Sequence, residues 1–288
     1  MEFKDIKDVL TFAAFRPEAD NPRFTWAQRF PKRKSVIINI SRGRCSWAMI
    51  NRKGQVDGTG EADGEFVDIA AQMGDTWRSG TEEGWVGVSI NNRFIINLEH
   101  NLSRKKGWQE ELRLHPKSIL GTKYDRSKRY AIHHNPETSA SLVMACDDSM
   151  IKSIEEVMRA HNLRPGRICC GLFASVAHIL NRISADSSLK NQDIILAAWL
   201  DGSLCIVRQK AGQWQDIRCR SGILPADHAT VSQVIRPFVE KASPSTRVLL
   251  LEDHKNGAFS SSYLSHFGNL HFTDATEDNN LWNLLALH

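Results

Sequence analysis

The amino-acid sequence predicts an α/β fold with mixed sheets, in which one β-β-β-α-β unit occurs twice. Residues 193–222 contain three short apolar runs, which the turn signals Asp201-Gly202 and Ala211-Gly212 separate. Two-residue turns of this kind join neighbouring antiparallel strands. A helical pattern and a further apolar run follow, and the same order occurs earlier in the chain, beginning at Ser35. Because the spacing between the copies is too long for a solenoid repeat, we interpret them as an internal duplication.

Each element of the two units follows from its local pattern. In the first unit, Arg42-Gly43 and Lys53-Gly54 mark the turns, and apolar residues at helical spacing come after the third strand. The predicted elements of the first unit are strands 35–40, 45–51, 55–61 and 85–90 and a helix over 65–77. Those of the second unit are strands 194–199, 204–208, 214–219 and 247–251 and a helix over 226–241.

The segments outside the two units also show strand and helix patterns. Ser103 is an N-cap candidate for a helix that reaches Leu114, and Arg164-Pro165-Gly166 is typical of a turn. The further predicted strands are 92–98, 129–134, 141–145, 167–170 and 269–272. The further predicted helices are 149–161, 172–183, 259–267 and 278–288.

These elements divide the chain into three parts. Residues 1–34 form an N-terminal arm, in which three prolines interrupt regular structure. Residues 35–185 form the first half, with an inserted small subdomain at about 92–146. The second half, residues 186–288, begins in a polar stretch that is the natural boundary between the halves.

The composition excludes several functional classes. Hydrophobic residues make up 41% and charged residues 24% of the 288 residues, as in a globular protein. The net charge of +4 is too small, and its positive residues are too spread, to indicate nucleic-acid binding. The sequence has no run of 18 apolar residues and no signal-peptide core. We therefore expect a cytoplasmic protein that does not span a membrane.

The six cysteines and eleven histidines do not have the spacing of a metal site. Zinc needs three or four convergent ligands, and the sequence has no CxxC, HxH or HExxH pattern. Four of the cysteines lie in apolar strand patterns. We expect reduced core thiols and no metal.

Three features of residues 35–288 resemble the cytoplasmic actin-like proteins of bacterial type IV pilus and type II secretion platforms, the PilM, GspL and MshI kind. The first is the duplicated hairpin unit. The second is the segment GWVGVSINNRFIINLEHNLSRKKGWQEELRL, residues 84–114. The third is the run MACDDSMIKSIEEVMRAHNLRPGRICCGLFASVAHIL, residues 144–180. The resemblance implies an actin-like, ribonuclease-H-like fold with an inserted subdomain.

In nucleotide-binding members of this family, each first hairpin carries a carboxylate at a strand end with a glycine beside it. Glycine lets backbone N–H groups approach the phosphates, and the carboxylate orients Mg²⁺ or its waters. Matched to that pattern, Asn39 and Ser41 occupy the acid and glycine positions of the first hairpin. Ala197 and Trp199 occupy them in the second, with Asp201-Gly202 as its turn. These positions lack the carboxylates and glycines of the nucleotide-binding pattern, so we do not expect ATP or Mg²⁺ to bind. An alternative register, in which Asp201 takes the acid position and ATP binds weakly, stays open.

The resemblance also implies a groove for a peptide of a membrane-anchored partner. The predicted strand 92–98 and the helix after it would border this groove. Arg93, Phe94, Arg104 and Trp108 are the candidate partner-binding residues, two basic groups and two aromatic anchors. The alternative for each is a surface charge or a core aromatic.

These features favour a non-catalytic scaffold, a pseudo-ATPase of a pilus or secretion assembly platform. We expect it in the cytoplasm, peripheral at the inner membrane, bound to a membrane-anchored platform protein, and we leave a homodimer open. The alternative is a working ATPase or small-molecule kinase of the same fold. That alternative needs a carboxylate near a hairpin turn, for which Asp193 and Asp201 are the nearest candidates.

Overall fold

A computed structural model of the chain describes residues 33–101, 115–134, 140–200, 202–211, 213–224, 226–252, 265–268 and 270–274. They divide into two compact units, one that ends at Ala174 and one that begins at Ser175. The predicted helices 103–114 and 278–288, and the predicted arm up to residue 32, lie outside the described residues. Residues 259–264 of the predicted helix 259–267 also lie outside them, and its last three residues form a 3-10 turn. Within the described ranges, every helix is too short or too polar to cross a lipid bilayer.

The described secondary structure follows the predicted order. In chain order, the strands and helices are β1 (Ser35–Ser41), β2 (Arg44–Ile50), β3 (Val56–Asp63), α1 (Phe66–Ser79), β4 (Trp85–Ile90), β5 (Ile95–Asn101), α2 (Pro116–Leu120), β6 (Lys128–His134), β7 (Ala140–Asp147), α3 (Asp148–Ala160), β8 (Arg164–Cys170), α4 (Gly171–Ala185), β9 (Asp193–Leu200), β10 (Ser203–Lys210), β11 (Gln213–Ser221), α5 (His228–Val239), β12 (Arg247–Glu252) and β13 (His271–Asp274). Single 3-10 turns occur at Asn92–Phe94, Gly121–Lys123 and Ser265–Phe267.

The main sheet of the first unit has the strand order β3-β2-β1-β4-β8. The first three strands form an antiparallel meander, and β4 and β8 run parallel to β1. On one face, the fully buried Trp77 of α1 contacts Trp47 of β2 edge-to-face, with ring centroids 5.6 Å apart. On the other face, Ile37 and Cys169 belong to a cluster with Ala174 at the start of α4. The sheet is therefore covered on both sides.

Two local predictions in the first unit differ from the structure. Residues Arg164 to Gly166, predicted as a turn, belong to β8, because a register shift beside Val86 leaves Gly166 as the extra residue of a bulge. The strand predicted to begin at residue 92 begins at Ile95. The side chain of Asn91 accepts the backbone N–H of Arg93 at 2.8 Å and stabilises a 3-10 turn there.

A three-stranded antiparallel sheet with the order β5-β7-β6 lies between β4 and β8 in the sequence. Arg129 of β6 is 1% exposed and joins this sheet to α3. Its two terminal nitrogens donate to the carboxylate oxygens of Glu155 at 2.9 and 3.2 Å. Its Nε donates to Asp148, the first residue of α3. The guanidinium group is therefore compensated by two carboxylates, which a buried charge requires.

The second unit repeats the sheet of the first, with the order β11-β10-β9-β12-β13. Strands β9, β10 and β11 form the meander, and β12 and β13 run parallel to β9. The core between this sheet and α5 contains Trp199, Ile235 and Phe238, all at most 2% exposed. The prediction of duplicated β-β-β-α-β units in mixed sheets, with a small inserted sheet, is confirmed.

Candidate functional site

The first hairpin turn of the first unit is an open backbone loop. Gly43 has a φ of +66°, and a Cβ placed there would contact nothing within 4 Å. Its carbonyl oxygen accepts the backbone N–H of Gly64, the residue after β3, at 2.9 Å. The turn thus has the glycine and the left-handed backbone conformation that a tight turn of this kind needs.

The strand end beside this turn carries neutral polar side chains on one face. Asn39 of β1 pairs with Ser46 of β2 and Ser89 of β4, and all three therefore share a face of the sheet. The side-chain amide of Asn39 donates to the Ser41 hydroxyl at 3.3 Å. The structure thus brings the two predicted positions, Asn39 and Ser41, into contact.

Ser89 is a residue of this polar face that was not predicted from the sequence. It is fully buried, and its hydroxyl has no hydrogen-bond partner among the described residues. The available signal was a hydroxyl within the otherwise apolar run WVGVSI, two residues before the turn at Asn91.

The second hairpin has the same turn but a different strand end. Gly202 has a φ of +71°, and its carbonyl accepts the N–H of Gly222 at 3.0 Å. The last strand pair before each turn is formed by Ser41 in the first unit and by Leu200 in the second, so these two residues correspond. Ala198, two residues before Leu200, therefore corresponds to Asn39. Ala197 and Trp199, which the sequence matched to them, lie one residue away and are buried in the core against α5. Asp201 lies outside the described residues.

The matched face of the second sheet is apolar. Ala198, Cys205 and Leu251 occupy the positions that Asn39, Ser46 and Ser89 have in the first unit, and each is fully buried.

The matched positions at the two strand ends, Asn39 and Ser41 in β1 and Ala198 and Leu200 in β9, carry no carboxylate. An amide and hydroxyls can donate and accept hydrogen bonds, but divalent cations are held chiefly by carboxylate oxygens. Among the described residues, no group of three or more potential metal ligands comes together.

Asp193 is the described acid that the sequence placed nearest the second hairpin. It lies at the start of β9, at the opposite end of the strand from the turn. Arg208 donates to both of its carboxylate oxygens at 2.9 and 2.6 Å, and Thr246 donates to one of them at 2.9 Å. Although burial raises the pKa of Asp193, these hydrogen bonds hold it below its ordinary value. Asp193 is therefore engaged in holding β9, β10 and the residue before β12 together.

Two further acids of the second unit also have local contacts. Asp216 is paired with Lys241 at 3.1 Å. Asp227 caps α5 by accepting the N–H of Thr230 at 3.1 Å, and that hydrogen bond lowers its pKa. Both carboxylates therefore interact with neighbouring groups of the second unit.

The described partner-binding candidates lie beside β5, an outer strand of the described three-stranded sheet. Arg93 is exposed and Phe94 is half-buried in the 3-10 turn that precedes β5. Within the described part of the chain, β5 pairs only with β7, and its Ile96 is 47% exposed. Arg104 and Trp108 lie outside the described residues.

The duplicated sheets and the inserted sheet define a class, the proteins with an actin-like fold. No protein-family model matches the chain, and no curated protein matches its sequence. Solved structures do share the fold.

A Bacteroides thetaiotaomicron protein with an actin-like ATPase fold is 14% identical, with a TM-score of 0.59 over 89% of this chain and 95% of that one. The structure of a PilM–PilN type IV pilus biogenesis complex contains a chain with 13% identity and a TM-score of 0.62, over 89% of this chain and 98% of that one. The cytoplasmic domain of EpsL, an inner-membrane component of the Vibrio cholerae type II secretion system, is 8% identical, with a TM-score of 0.55 over 88% and 93%. At these low sequence identities, the similarity to the three structures shows a shared fold and no more.

Proposed function

We propose that this protein is a non-catalytic, actin-like scaffold of a type IV pilus or type II secretion assembly platform. Two of the similar folds belong to proteins of such assemblies, the PilM–PilN complex and EpsL. In this proposal the chain is a pseudo-ATPase that acts in the cytoplasm at the inner membrane, where it binds a segment of a membrane-anchored partner.

The absence of a carboxylate at the matched positions of the two strand ends carries the proposal. Asn39 and Ala198 stand at equivalent positions beside the two turns, and both are neutral. An amide attracts a divalent cation far less than a carboxylate, and an alanine methyl group does not attract it. The hydroxyls of Ser41, Ser46 and Ser89 can orient water but supply no negative charge to hold a metal ion. A scaffold that does not bind Mg-ATP needs no such charge.

The proposed partner surface is the edge of β5 that pairs with no other strand among the described residues. An exposed strand edge can add an extended peptide as a further strand, because its backbone N–H and C=O groups are available for pairing. Arg93 and Phe94 border this edge, and Arg104 and Trp108 are the two further candidates from the sequence. We assign the surface to the inserted subdomain at about 92–146, within a first half of 35–185, followed by a second half of 186–288 and preceded by the arm 1–34.

The test of the pseudo-ATPase is calorimetric titration of Mg-ATP into the full chain, with thermal shift as a second readout. We expect neither heat nor a shift at millimolar nucleotide. Binding tighter than about 10 µM, which corresponds to about 7 kcal/mol, would overturn the proposal. It would favour the alternative, an ATPase or small-molecule kinase of this fold.

The test of the partner surface is a binding titration with an N-terminal cytoplasmic peptide of the membrane-anchored partner. Arg93→Glu is expected to weaken binding at least tenfold, whereas Arg126→Glu, at another exposed arginine in the turn before β6, leaves it unchanged. Equal effects of the two variants would show non-specific attraction and remove the β5 edge from the proposal.

A further inference from the structure

Two cysteines face each other across the outer pair of strands in the second sheet. Cys205 of β10 is directly opposite Cys219 of β11, and their sulfur atoms are 2.9 Å apart. Neither cysteine is in a disulfide. Directly opposite residues of antiparallel strands have Cα atoms about 4.5–5.5 Å apart, which is within the range of about 4.4–6.8 Å that a disulfide accepts. The backbone therefore already has the separation that a disulfide needs.

The two thiols differ in their access to solvent. Cys219 is half-buried, whereas Cys205 is fully buried behind it. Strand β11 is the edge of the described sheet, so reagents can approach Cys219 without opening the core. Arg218 and Arg220, on either side of Cys219, are exposed. Because successive residues of a strand face opposite sides of the sheet, these arginines lie on the face of Ile206 and Leu204 and not on the face of the Cys219 sulfur.

We propose that Cys205 and Cys219 form a thiol-disulfide exchange site that accepts oxidising equivalents from a low-mass disulfide, such as oxidised glutathione. The thiolate of Cys219 attacks one sulfur of that disulfide, and the first glutathione leaves as a thiol. The Cys205 thiolate then attacks the Cys219 sulfur of the mixed disulfide, and the second glutathione leaves. The protein loses two electrons and two protons, and one disulfide is reduced to two thiols.

The other four cysteines are poor competitors for this chemistry. Burial raises the pKa of Cys45 to about 12, with the Glu65 charge adding to the effect, and burial likewise raises the pKa of Cys146 to about 12. Cys169 and Cys170 are fully buried and adjacent in β8, so their side chains point to opposite faces of the sheet. Only a thiolate attacks a disulfide, which makes thiols of such high pKa unreactive.

The bond would cross-link the edge strand β11 to β10 in its native register. This inference rests on the geometry of the second unit alone and is independent of the proposed scaffold function. It departs from the expectation of six reduced core thiols, because one pair among the six is placed for oxidation.

The test equilibrates the full chain with excess oxidised glutathione, followed by unfolding, alkylation with iodoacetamide and intact-mass analysis. We expect four alkyl groups instead of the six of the reduced chain, and a linked Cys205–Cys219 peptide after digestion. Six alkyl groups, or a linkage through any other cysteine, would overturn the proposal.

Single serine variants separate the two roles. Cys205→Ser is expected to stop at a glutathione adduct on Cys219, whereas Cys219→Ser forms neither adduct nor disulfide. Cys146→Ser is the matched control and keeps the disulfide. An adduct on Cys205, or a disulfide in the Cys219→Ser variant, would contradict the assignment of Cys219 as the attacking thiol. If a serine variant does not fold, the peptide map of the oxidised wild-type chain still tests the proposal.

Discussion

The backbone N–H of Gly64 donates to the carbonyl oxygen of Gly43 at 2.9 Å, and the second unit repeats this bond between Gly222 and Gly202 at 3.0 Å. In each unit the bond fastens the residue after the third strand to the turn between the first two. All four glycines have positive φ, a conformation that other residues adopt at a cost. The duplication therefore extends to the backbone hydrogen bonds that close the two meanders.

Gly60 is predicted to be intolerant of a methyl group. It lies opposite Trp47 in the β2–β3 pair, and a Cβ at this position would be 2.4 Å from the indole ring. Gly60→Ala should lower the free energy of unfolding by about 1–3 kcal/mol through overpacking. Gly58→Ala in the same strand, where a Cβ has nothing within 4 Å, is the matched control. Urea unfolding of both variants measures the difference, and equal stabilities would contradict the packing of Trp47 over Gly60.

Removal of the Glu155 charge is predicted to be costly. Glu155→Gln leaves Arg129 buried with Asp148 as its remaining carboxylate. Breaking a buried ion pair from one side typically costs about 3–5 kcal/mol, and the remaining carboxylate favours the lower end of that range. Glu156→Gln, on the exposed side of the same helix, should have little effect. Chemical denaturation provides the comparison, and similar values for the two variants would show that the pair is not a stabilising contact.

The contribution of Asp193 to stability is predicted to depend on pH. Its pKa is lower in the folded chain than in the unfolded one, so the folded state favours the carboxylate. The contribution is present above the unfolded pKa of about 3.9 and is lost as the pH falls through the lower folded value. Asp193→Asn should cost roughly 1–3 kcal/mol at pH about 7, and the cost should shrink below pH about 4.

Urea unfolding at several pH values measures this dependence, with Asp75→Asn, at an exposed position of α1, as the control. A cost that is the same at neutral and acidic pH would assign the effect to lost packing instead of the carboxylate charge.

The deeply buried thiols are predicted to react only after unfolding. In a Cys205→Ser/Cys219→Ser variant the four remaining cysteines are all buried. At pH about 8, a thiol with a pKa near 12 is ionised in roughly one molecule in ten thousand. A colorimetric disulfide reagent should therefore label Cys45 and Cys146 at the rate of unfolding. Rapid labelling without denaturant would contradict their burial.

The pattern of polar and apolar residues explains why the side-chain faces of β1 were predictable and those of β9 were not. In β1, polar Asn39 and Ser41 alternate with apolar neighbours, so the strand and its faces can be identified from the sequence. In β9 the residues from Ile194 to Leu200 are all buried, and an apolar run without alternation does not show which side chain faces which side. A shift of the assumed register by one residue exchanges the two faces of a strand. For this reason the sequence matched Ala197 to Asn39, whereas the strand pairing matches Ala198 to Asn39.

Tertiary context accounts for the remaining differences. Pro165 suggested a turn, but it lies in β8, which pairs only with β4 in the described sheet and contains a bulge beside it. Proline is accepted at sheet edges and bulges because the missing N–H is not needed there. The contact between Arg129 and Glu155 joins a strand to a helix 26 positions later, and local patterns do not contain such pairings.

The Arg129 contacts have a structural consequence for the inserted sheet. Strand β7 continues directly into α3, so the two share one covalent backbone at Asp147. Arg129, on the neighbouring strand β6, forms ion pairs with Asp148 and Glu155 of α3. Strand β5 is therefore connected to α3 by two routes, the covalent backbone of β7 and, by way of β6, the ion pairs of Arg129.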